Sequence, residues 1–311
     1  MTKENDIKVS IMVLAYNHEK YIRKALESMV TQKTDFKFEI VIGEDYSTDN
    51  TREIIREYHR KYPDIIKPLF RKKNLGPCRN LVSTMRRCTG EYVAFMECDD
   101  FWTDPLKLQK QADYLDSHPD YAGVMCNTMV VNRYDKPMVT GPKVLDHELE
   151  TPLDYVKSFY PCHQFKFGGA LMARNYYKDR KYDKYLLQTE FVDDIILQAI
   201  VMRHGKMGYV DEIMTAYRWV PSHGNNFSSQ KRELLCRDKI KASRIMMSLF
   251  TSETYSRIYM RICREHWTLL HAILADKDYA GLVKYVLNEM TIYEKLFYIP
   301  YWIRRKATGV F

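Results

Sequence analysis

Apolar and polar positions in the first hundred residues alternate between two rhythms. Lys8-Val-Ser-Ile-Met-Val-Leu14 is a short, nearly continuous apolar run, the pattern of a parallel strand buried on both faces. From Glu19 to Val30 the apolar positions Ile22, Ala25, Leu26, Met29 and Val30 recur at helical spacing. Phe38–Ile42 predicts a second strand. Asn50, placed three residues before Glu53, predicts a capping box opening a helix through Tyr58. Ile66–Phe70 is a weaker strand, because Pro68 removes a ladder donor. Leu81, Val82 and Met85 mark a further helix, and Tyr92–Met96 another apolar strand. Such alternation predicts βαβ units, hence an α/β fold with a mostly parallel sheet flanked by helices.

Two later helices carry start signals. Asp104-Pro105 sets an N-cap residue before a proline, ahead of Leu106, Leu108 and Leu115. Thr151-Pro152-Leu153-Asp154 does the same and adds an acid to the first turn. Between them, Tyr121–Val131 predicts a strand. Ile195 to Met202 is a helical run ending near His204-Gly205. After residue 228, Ile240, Ile245, Met246, Leu249, Ile258, Ile262, Leu269, Leu270 and Ile273 are spaced for amphipathic helices. The expected organisation is one strand-and-helix domain over 1–229 followed by a helical extension over 230–311.

Composition narrows the class. Apolar residues are 46% and charged residues 28% of the 311, so a disordered or fibrous chain is excluded. The net charge of +8 favours anionic partners without choosing among them. Basic and acidic residues are intermixed throughout, which argues against a nucleic-acid-binding face. The seven cysteines are scattered with no Cys-x-x-Cys, so neither a disulfide framework nor a zinc site is indicated. Met1 to Lys8 is polar and mixed in charge, unlike a signal peptide, and the apolar stretches are too short to span a bilayer. These features set the expectation of a cytoplasmic protein.

In an open parallel sheet, ligands bind beyond the carboxyl ends of the strands. Acids gather there: Gly43-Glu44-Asp45-Tyr46-Ser47-Thr48-Asp49 follows the second strand, and Glu97-Cys98-Asp99-Asp100 follows Tyr92–Met96. Three carboxylates within four residues repel one another unless a cation sits among them. Mn²⁺ or Mg²⁺ is the natural counter-charge, since a hard divalent ion takes oxygen ligands and shares its shell with substrate phosphates.

The motifs Val-Ser-Ile-Met-Val-Leu-Ala-Tyr-Asn (9–17), Gly-Glu-Asp-Tyr-Ser-Thr-Asp (43–49), Asn-Leu-Gly-Pro-Cys-Arg-Asn (74–80) and Glu-Cys-Asp-Asp-Phe-Trp-Thr-Asp-Pro (97–105) resemble, in this order, those of glycosyltransferase family 2. The resemblance covers roughly residues 7–225 and implies that 1–229 is a catalytic domain, with nucleotide-sugar binding in about 7–105 and an acceptor part in about 106–229. It implies a GT-A fold and transfer of a sugar from a nucleotide-diphosphate donor, most simply a UDP-sugar. Carried over, it places Ala15, Tyr16 and Asn17 against the nucleotide and Asp45 on the base. Arg79 falls near the base or diphosphate, Asp99 on the ribose and Asp100 on the metal. Glu44 and Cys98 depart from the usual Asp and the usual Gly, Ala or Ser.

By the same resemblance, Asp193-Asp194, just ahead of the Ile195–Met202 run, matches the acidic pair that supplies the base in inverting members. Asp194 is then the general base and Asp193 an acceptor-binding neighbour. Adjacent carboxylates repel, which raises one pKa towards the range useful for taking a hydroxyl proton. Tyr217-Arg218-Trp219-Val220-Pro221-Ser222-His223 resembles a late Tyr-Arg-x-x-His region, which puts Arg218 at the donor and His223 at the metal, two residues further apart than in many relatives. Gly168-Gly169 offers either close approach of an acceptor, at Gly169, or a tight turn into a strand.

The tail Tyr293–Lys306 interleaves aromatic and basic residues, a composition suited either to the cytoplasmic face of an anionic membrane or to a helix pair with a solvated basic end. The acceptor class expected is a saccharide or lipid-linked saccharide in cell-surface polysaccharide assembly. The alternatives are a sugar-phosphate nucleotidyltransferase, which would need the Gly-rich phosphate loop that Met12–Asn17 lacks, and a non-catalytic saccharide- or nucleotide-binding protein.

Overall fold

A computed structural model of the chain describes residues 7–138, 147–158, 169–191, 194–219, 232–275, 279–292, 294–296 and 298. Its centre is an eight-stranded sheet made of β1 (Val9–Ala15), β2 (Phe38–Glu44), β3 (Ile66–Phe70), β4 (Tyr92–Glu97), β5 (Phe101–Trp102), β6 (Tyr121–Val131), β7 (Met172–Arg174) and β8 (Lys206–Arg218). The order across the sheet is β3-β2-β1-β4-β7-β6-β8-β5. Strands β1 to β4 are mutually parallel, as the alternating pattern requires. β3 lies at the edge, where Pro68 is tolerated because no neighbour claims its missing donor. β7 runs antiparallel to both β4 and β6, and β6 pairs in parallel with β8.

Side chains along the strands divide between two buried clusters, as a period of two demands. Val9, Ile11, Val13, Ile40, Ile42, Tyr92 and Ala94 face one side, packing under α1 (Ile22–Val30), α2 (Thr51–Lys61) and α4 (Lys107–Ser117). Met12, Val41, Val93 and Phe95 face the other, under α3 (Pro77–Met85) and α7 (Asp194–His204). α7 is buried from Ile195 to Met202 because further helices cover its outer side. Those are α5 (Pro152–Ser158), the short α6 (Asp183–Leu186) and α8 (Arg232–Leu249), with α9 (Tyr255–Ala275) packing on α8 and α5, and α10 (Tyr279–Asn288) on α9. Ile240, Ile245, Met246, Ile258 and Ile262 belong to the same cluster as α7. The C-terminal helices therefore extend one side of the sheet core. No described helix is long and apolar enough to cross a membrane.

Local start signals are met unevenly. At α5 the capping box forms: Thr151 Oγ1 donates to Asp154 Oδ2 at 2.7 Å and accepts the Asp154 N–H at 3.1 Å. At α2 the expected box does not form. Asp49 Oδ1 takes the Thr51 N–H at 2.9 Å, while the Asn50 amide donates to Glu19 at 3.0 Å, and the helix runs on to Lys61. A carboxylate one residue earlier and a partner across the loop win over the Asn50–Glu53 pair. α4 begins at Lys107, after a turn in which Asp104 Oδ1 accepts the Leu106 N–H at 2.8 Å.

Candidate active site

The loops after β1 and β2 lock together beyond the sheet. Asn17 has φ 56° and Tyr46 φ 63°, left-handed conformations that turn each chain sharply out of its strand. Asn17 Oδ1 accepts the Thr48 N–H at 2.8 Å, and its own N–H donates to Ser47 Oγ at 3.1 Å. Ala15 is buried, and its carbonyl accepts the Asp45 N–H at 2.9 Å. Asp45 is 3% exposed and reaches sideways, accepting the Leu75 and Gly76 N–H groups at 2.8 and 3.0 Å. Burial nevertheless raises its pKa, the two N–H bonds and nearby Arg71 opposing it. Glu44 is fully buried and meets Arg52, whose guanidinium also lies over the Tyr46 and Phe70 rings. This bracing frames a rim on which Tyr16 is half-buried and Arg79, in the first turn of α3, is exposed.

The β4 end gathers Glu97, Asp99 and Asp100, with one carboxylate oxygen from each lying within 4.8 Å of the others. Asp100 is 1% exposed. Its Oδ1 accepts the Arg218 N–H at 2.7 Å, whereas its buried Oδ2 meets no hydrogen-bond partner among the described residues. Burial, then the charges of Asp99 and Glu97, drive its pKa well above the usual carboxylate range. A buried, unpartnered acceptor in a crowd of negative charge fits an oxygen-seeking divalent cation. The Arg218 guanidinium does not bond this oxygen. It is buried, donating to the Asp99 carbonyl at 2.7 Å, to the Asn132 carbonyl at 3.2 Å and to Asp135, and it stacks 4.3 Å from the Tyr21 ring centroid.

Asp194 opens α7 and is half-buried, its Oδ1 accepting the Ile195 N–H at 2.8 Å. Burial raises its pKa, partly offset by Arg261 of α9 and Lys239 of α8. Tyr217, on β8, connects the two acidic groups: after burial, the charges of Asp100, Glu97, Asp99 and Asp194 all push its phenol upward. The Glu97–Asp99–Asp100 cluster and Asp194 thus bear on one side chain. Gly169, at φ 74°, occupies the tight turn into β7; a Cβ there would lie 2.7 Å from Trp102 Nε1 and 2.8 Å from the Met96 sulfur. Trp102 donates to the Gly169 carbonyl at 3.2 Å, and behind it Lys107, wholly buried, donates to Gln111 at 2.5 Å and sits 4.5 Å over the Trp102 ring.

Asp193 and His223 lie outside the described residues, as does Gly168. Tyr217, Arg261, Lys239 and Lys107 were not singled out from the sequence. Tyr217 had a signal, its place beside Arg218 in the late motif; the others are joined to the site only by long-range packing.

The glycosyl transferase family 2 profile matches residues 10–180, more than half of the chain. The chain belongs to glycosyltransferase family 2. An uncharacterized Mycobacterium tuberculosis protein, Rv1520, is 46% identical over 112 residues, 36% of this chain and 32% of that protein. The family 2 chain therefore spans about a third of the length of the curated relatives that match it first. The Staphylococcus aureus poly(ribitol-phosphate) beta-N-acetylglucosaminyltransferase TarS is 33% identical over 115 residues, 36% of this chain and 19% of that protein. Among solved structures, S. aureus TarS 1–349 in complex with UDP-GlcNAc superposes with a TM-score of 0.61 at 18% identity, over 95% of this chain and 79% of that one. The Pyrobaculum calidifontis mannosyltransferase PcManGT, in complex with GDP-Man and Mn²⁺, gives 0.52 at 17% identity, over 99% and 88%. These likenesses establish the GT-A fold.

Proposed function

We propose that this family 2 chain is an inverting glycosyltransferase, moving a sugar from a nucleotide-diphosphate donor to a hydroxyl of a saccharide or lipid-linked acceptor in surface polysaccharide assembly. The observation that carries the reading is the Asp100 Oδ2, buried without a described partner and crowded by Asp99 and Glu97. The TarS and PcManGT complexes, with UDP-GlcNAc and with GDP-Man and Mn²⁺, make a nucleotide sugar the natural occupant.

Glu97, Asp99 and Asp100 would hold Mn²⁺ or Mg²⁺, with His223 a further candidate from sequence. When bound, such an ion supplies Lewis-acid stabilisation of charge on the departing diphosphate. The rest is done by side chains. Tyr16, Asn17 and Arg79 line the rim that takes the nucleotide, the buried Asp45 is assigned to the base, and Asp99 to the ribose. Arg218 braces both acids from behind, through the Asp99 carbonyl and the Asp100 carboxylate. Asp194, its carboxyl shifted upward by burial, accepts the proton of the acceptor hydroxyl as that oxygen attacks the anomeric carbon with inversion. Asp193 and Gly169 are assigned to the acceptor side.

The test is a donor screen. UDP-, GDP- and dTDP-sugars are incubated with the chain and Mn²⁺, and nucleotide release is followed with and without chelator. Release from one class, abolished by chelator, supports the proposal; no release from any donor, with no donor-induced thermal shift, rejects it.

A further inference from the structure

The C-terminal helices reach the segment that carries the candidate base. Asp238, on α8, is 2% exposed, and its carboxylate is aimed at backbone rather than at solvent. The Glu190 N–H donates to both of its oxygens at 3.0 Å, and the Phe191 N–H donates to Oδ2 at 2.7 Å. Phe191 stands three residues before Asp194. Two consecutive N–H groups turned onto one buried carboxylate fix the direction in which the chain enters α7. The grip is anchored, because Cys236 and Ile240 on α8 share a buried cluster with Ile195 and Ile196 on α7. From the same layer, Lys239 and Arg261 bring positive charge to Asp194.

From this geometry we infer that Asp238 is a positioning residue for the acceptor-side chemistry, and that the helices beyond the family-matched region complete the active site. The inference rests on the reading of Asp194 as base. A base acts only within hydrogen-bond reach of the proton it takes, and a misplacement of about 1 Å costs on the order of 100-fold in rate. Glu190–Phe191 is the nearest described backbone upstream of Asp194 that is tied to another element, so its release frees the start of α7.

The experiment uses the full chain with UDP-GlcNAc or GDP-mannose as probe, whichever the wild type hydrolyses, passing the sugar to water and releasing the nucleotide diphosphate, in the presence of Mn²⁺. Asp238→Ala lowers kcat roughly 10–100-fold and leaves the donor KM within about two-fold, because the bonds it loses lie on the segment that leads into Asp194. Asp238→Asn keeps one accepting oxygen and gives an intermediate kcat. Amide hydrogen exchange of Asp238→Ala accelerates at Glu190 and Phe191 and not in β1 or β2.

Unchanged kcat overturns the inference. So does a parallel loss of kcat and donor affinity with faster exchange throughout, which would make Asp238 a general structural residue. Full activity of Asp194→Asn rejects the base, and with it this catalytic role, while exchange at Glu190 and Phe191 still reports the contact. A wild type that turns over no donor rejects the functional reading in the same way.

Discussion

Replacing Asp100 with Asn should make the metal-free protein more stable while abolishing its response to Mn²⁺. Two unit charges 4.8 Å apart, the spacing that bounds the Glu97–Asp99–Asp100 oxygens, repel by about 3–4 kcal/mol at an effective dielectric of ~20. Removing the Asp100 charge relieves two such pairs. Part of that penalty is already avoided, since burial and its neighbours raise the Asp100 pKa and the carboxyl takes up a proton instead. The Asn oxygen still accepts the Arg218 N–H, now held at 2.7 Å, and its NH₂ sits where Oδ2 has no described partner. A net gain of about 1–3 kcal/mol is expected, or roughly 2–6 °C in Tm for a chain of this length. The assay is a thermal melt of both proteins at pH 8, in EDTA and then in Mn²⁺ with UDP-GlcNAc or GDP-mannose. Wild type should gain stability with ion and donor, by mass action on the folded state, and the variant should not. A variant that melts lower than wild type in EDTA yet keeps the full Mn²⁺ shift would refute the reasoning, because the crowded carboxylates would then be serving the fold and not a cation.

Three further outcomes follow from particular contacts. Asp194→Asn should lower kcat by about 10²–10⁴-fold with donor affinity unchanged, measured by nucleotide release and by titration of the donor. Gly169→Ala should destabilise by about 2–4 kcal/mol in urea unfolding: ~1–2 for a side chain at φ 74° and about as much for a methyl 2.7 Å from Trp102 Nε1. Burial pushes the Lys107 ammonium down to about 8 from 10.5, so the unfolded chain binds more protons between those values and stability should rise with pH across that window. Below about pH 8 the penalty is fully present, and Lys107→Met should stabilise there by about 1–3 kcal/mol, an advantage that fades as pH approaches 10.5. Urea midpoints at pH 7 and pH 10 check both statements.

What could be read from the chain depended on whether the deciding contact was local. Val9–Ala15, Phe38–Glu44 and Tyr92–Glu97 alternate between two buried clusters, so an apolar run with helices on both sides was enough to place them. Thr151 and Asp154 cap their own helix, and that signal held; Asn50 lost to Glu19, a residue no local window includes. β8 was hidden for a different reason. Its register on β6 skips from Val210 to Ile213, leaving Asp211 and Glu212 outside the ladder and breaking the period of two. Asn127 fills that bulge, donating to Tyr209 at 2.5 Å and to Asp211 at 2.6 Å. β7 has three residues, too few to show a pattern. For the site, the motifs marked Asp45, Asp99 and Asp100, but what holds them is non-local: the Leu75–Gly76 backbone for Asp45 and Arg218 for Asp100 and the Asp99 carbonyl.

The long-range pairing of β6 with β8 is what gives the acidic residues a common setting. Asp99 and Asp100 come from the β4 turn and Asp194 from the start of α7, so nothing in chain order relates them. β8 reaches both. Its last residue donates a backbone N–H to Asp100 and a guanidinium N–H to the Asp99 carbonyl, and its neighbour Tyr217 feels the charge of each group. Burying Arg218 beside this cluster keeps a permanent positive charge next to the acids, and its bonds go to the Asp99 carbonyl and, through its backbone N–H, to Asp100 Oδ1, leaving Oδ2 without a described partner. The same logic recurs at the start of α7, where the Ile195 N–H bond, then the charges of Arg261 on α9 and Lys239 on α8, moderate the rise in the Asp194 pKa. Each acidic group is thus accompanied by cations from a later part of the chain, which the motif that contains it does not include.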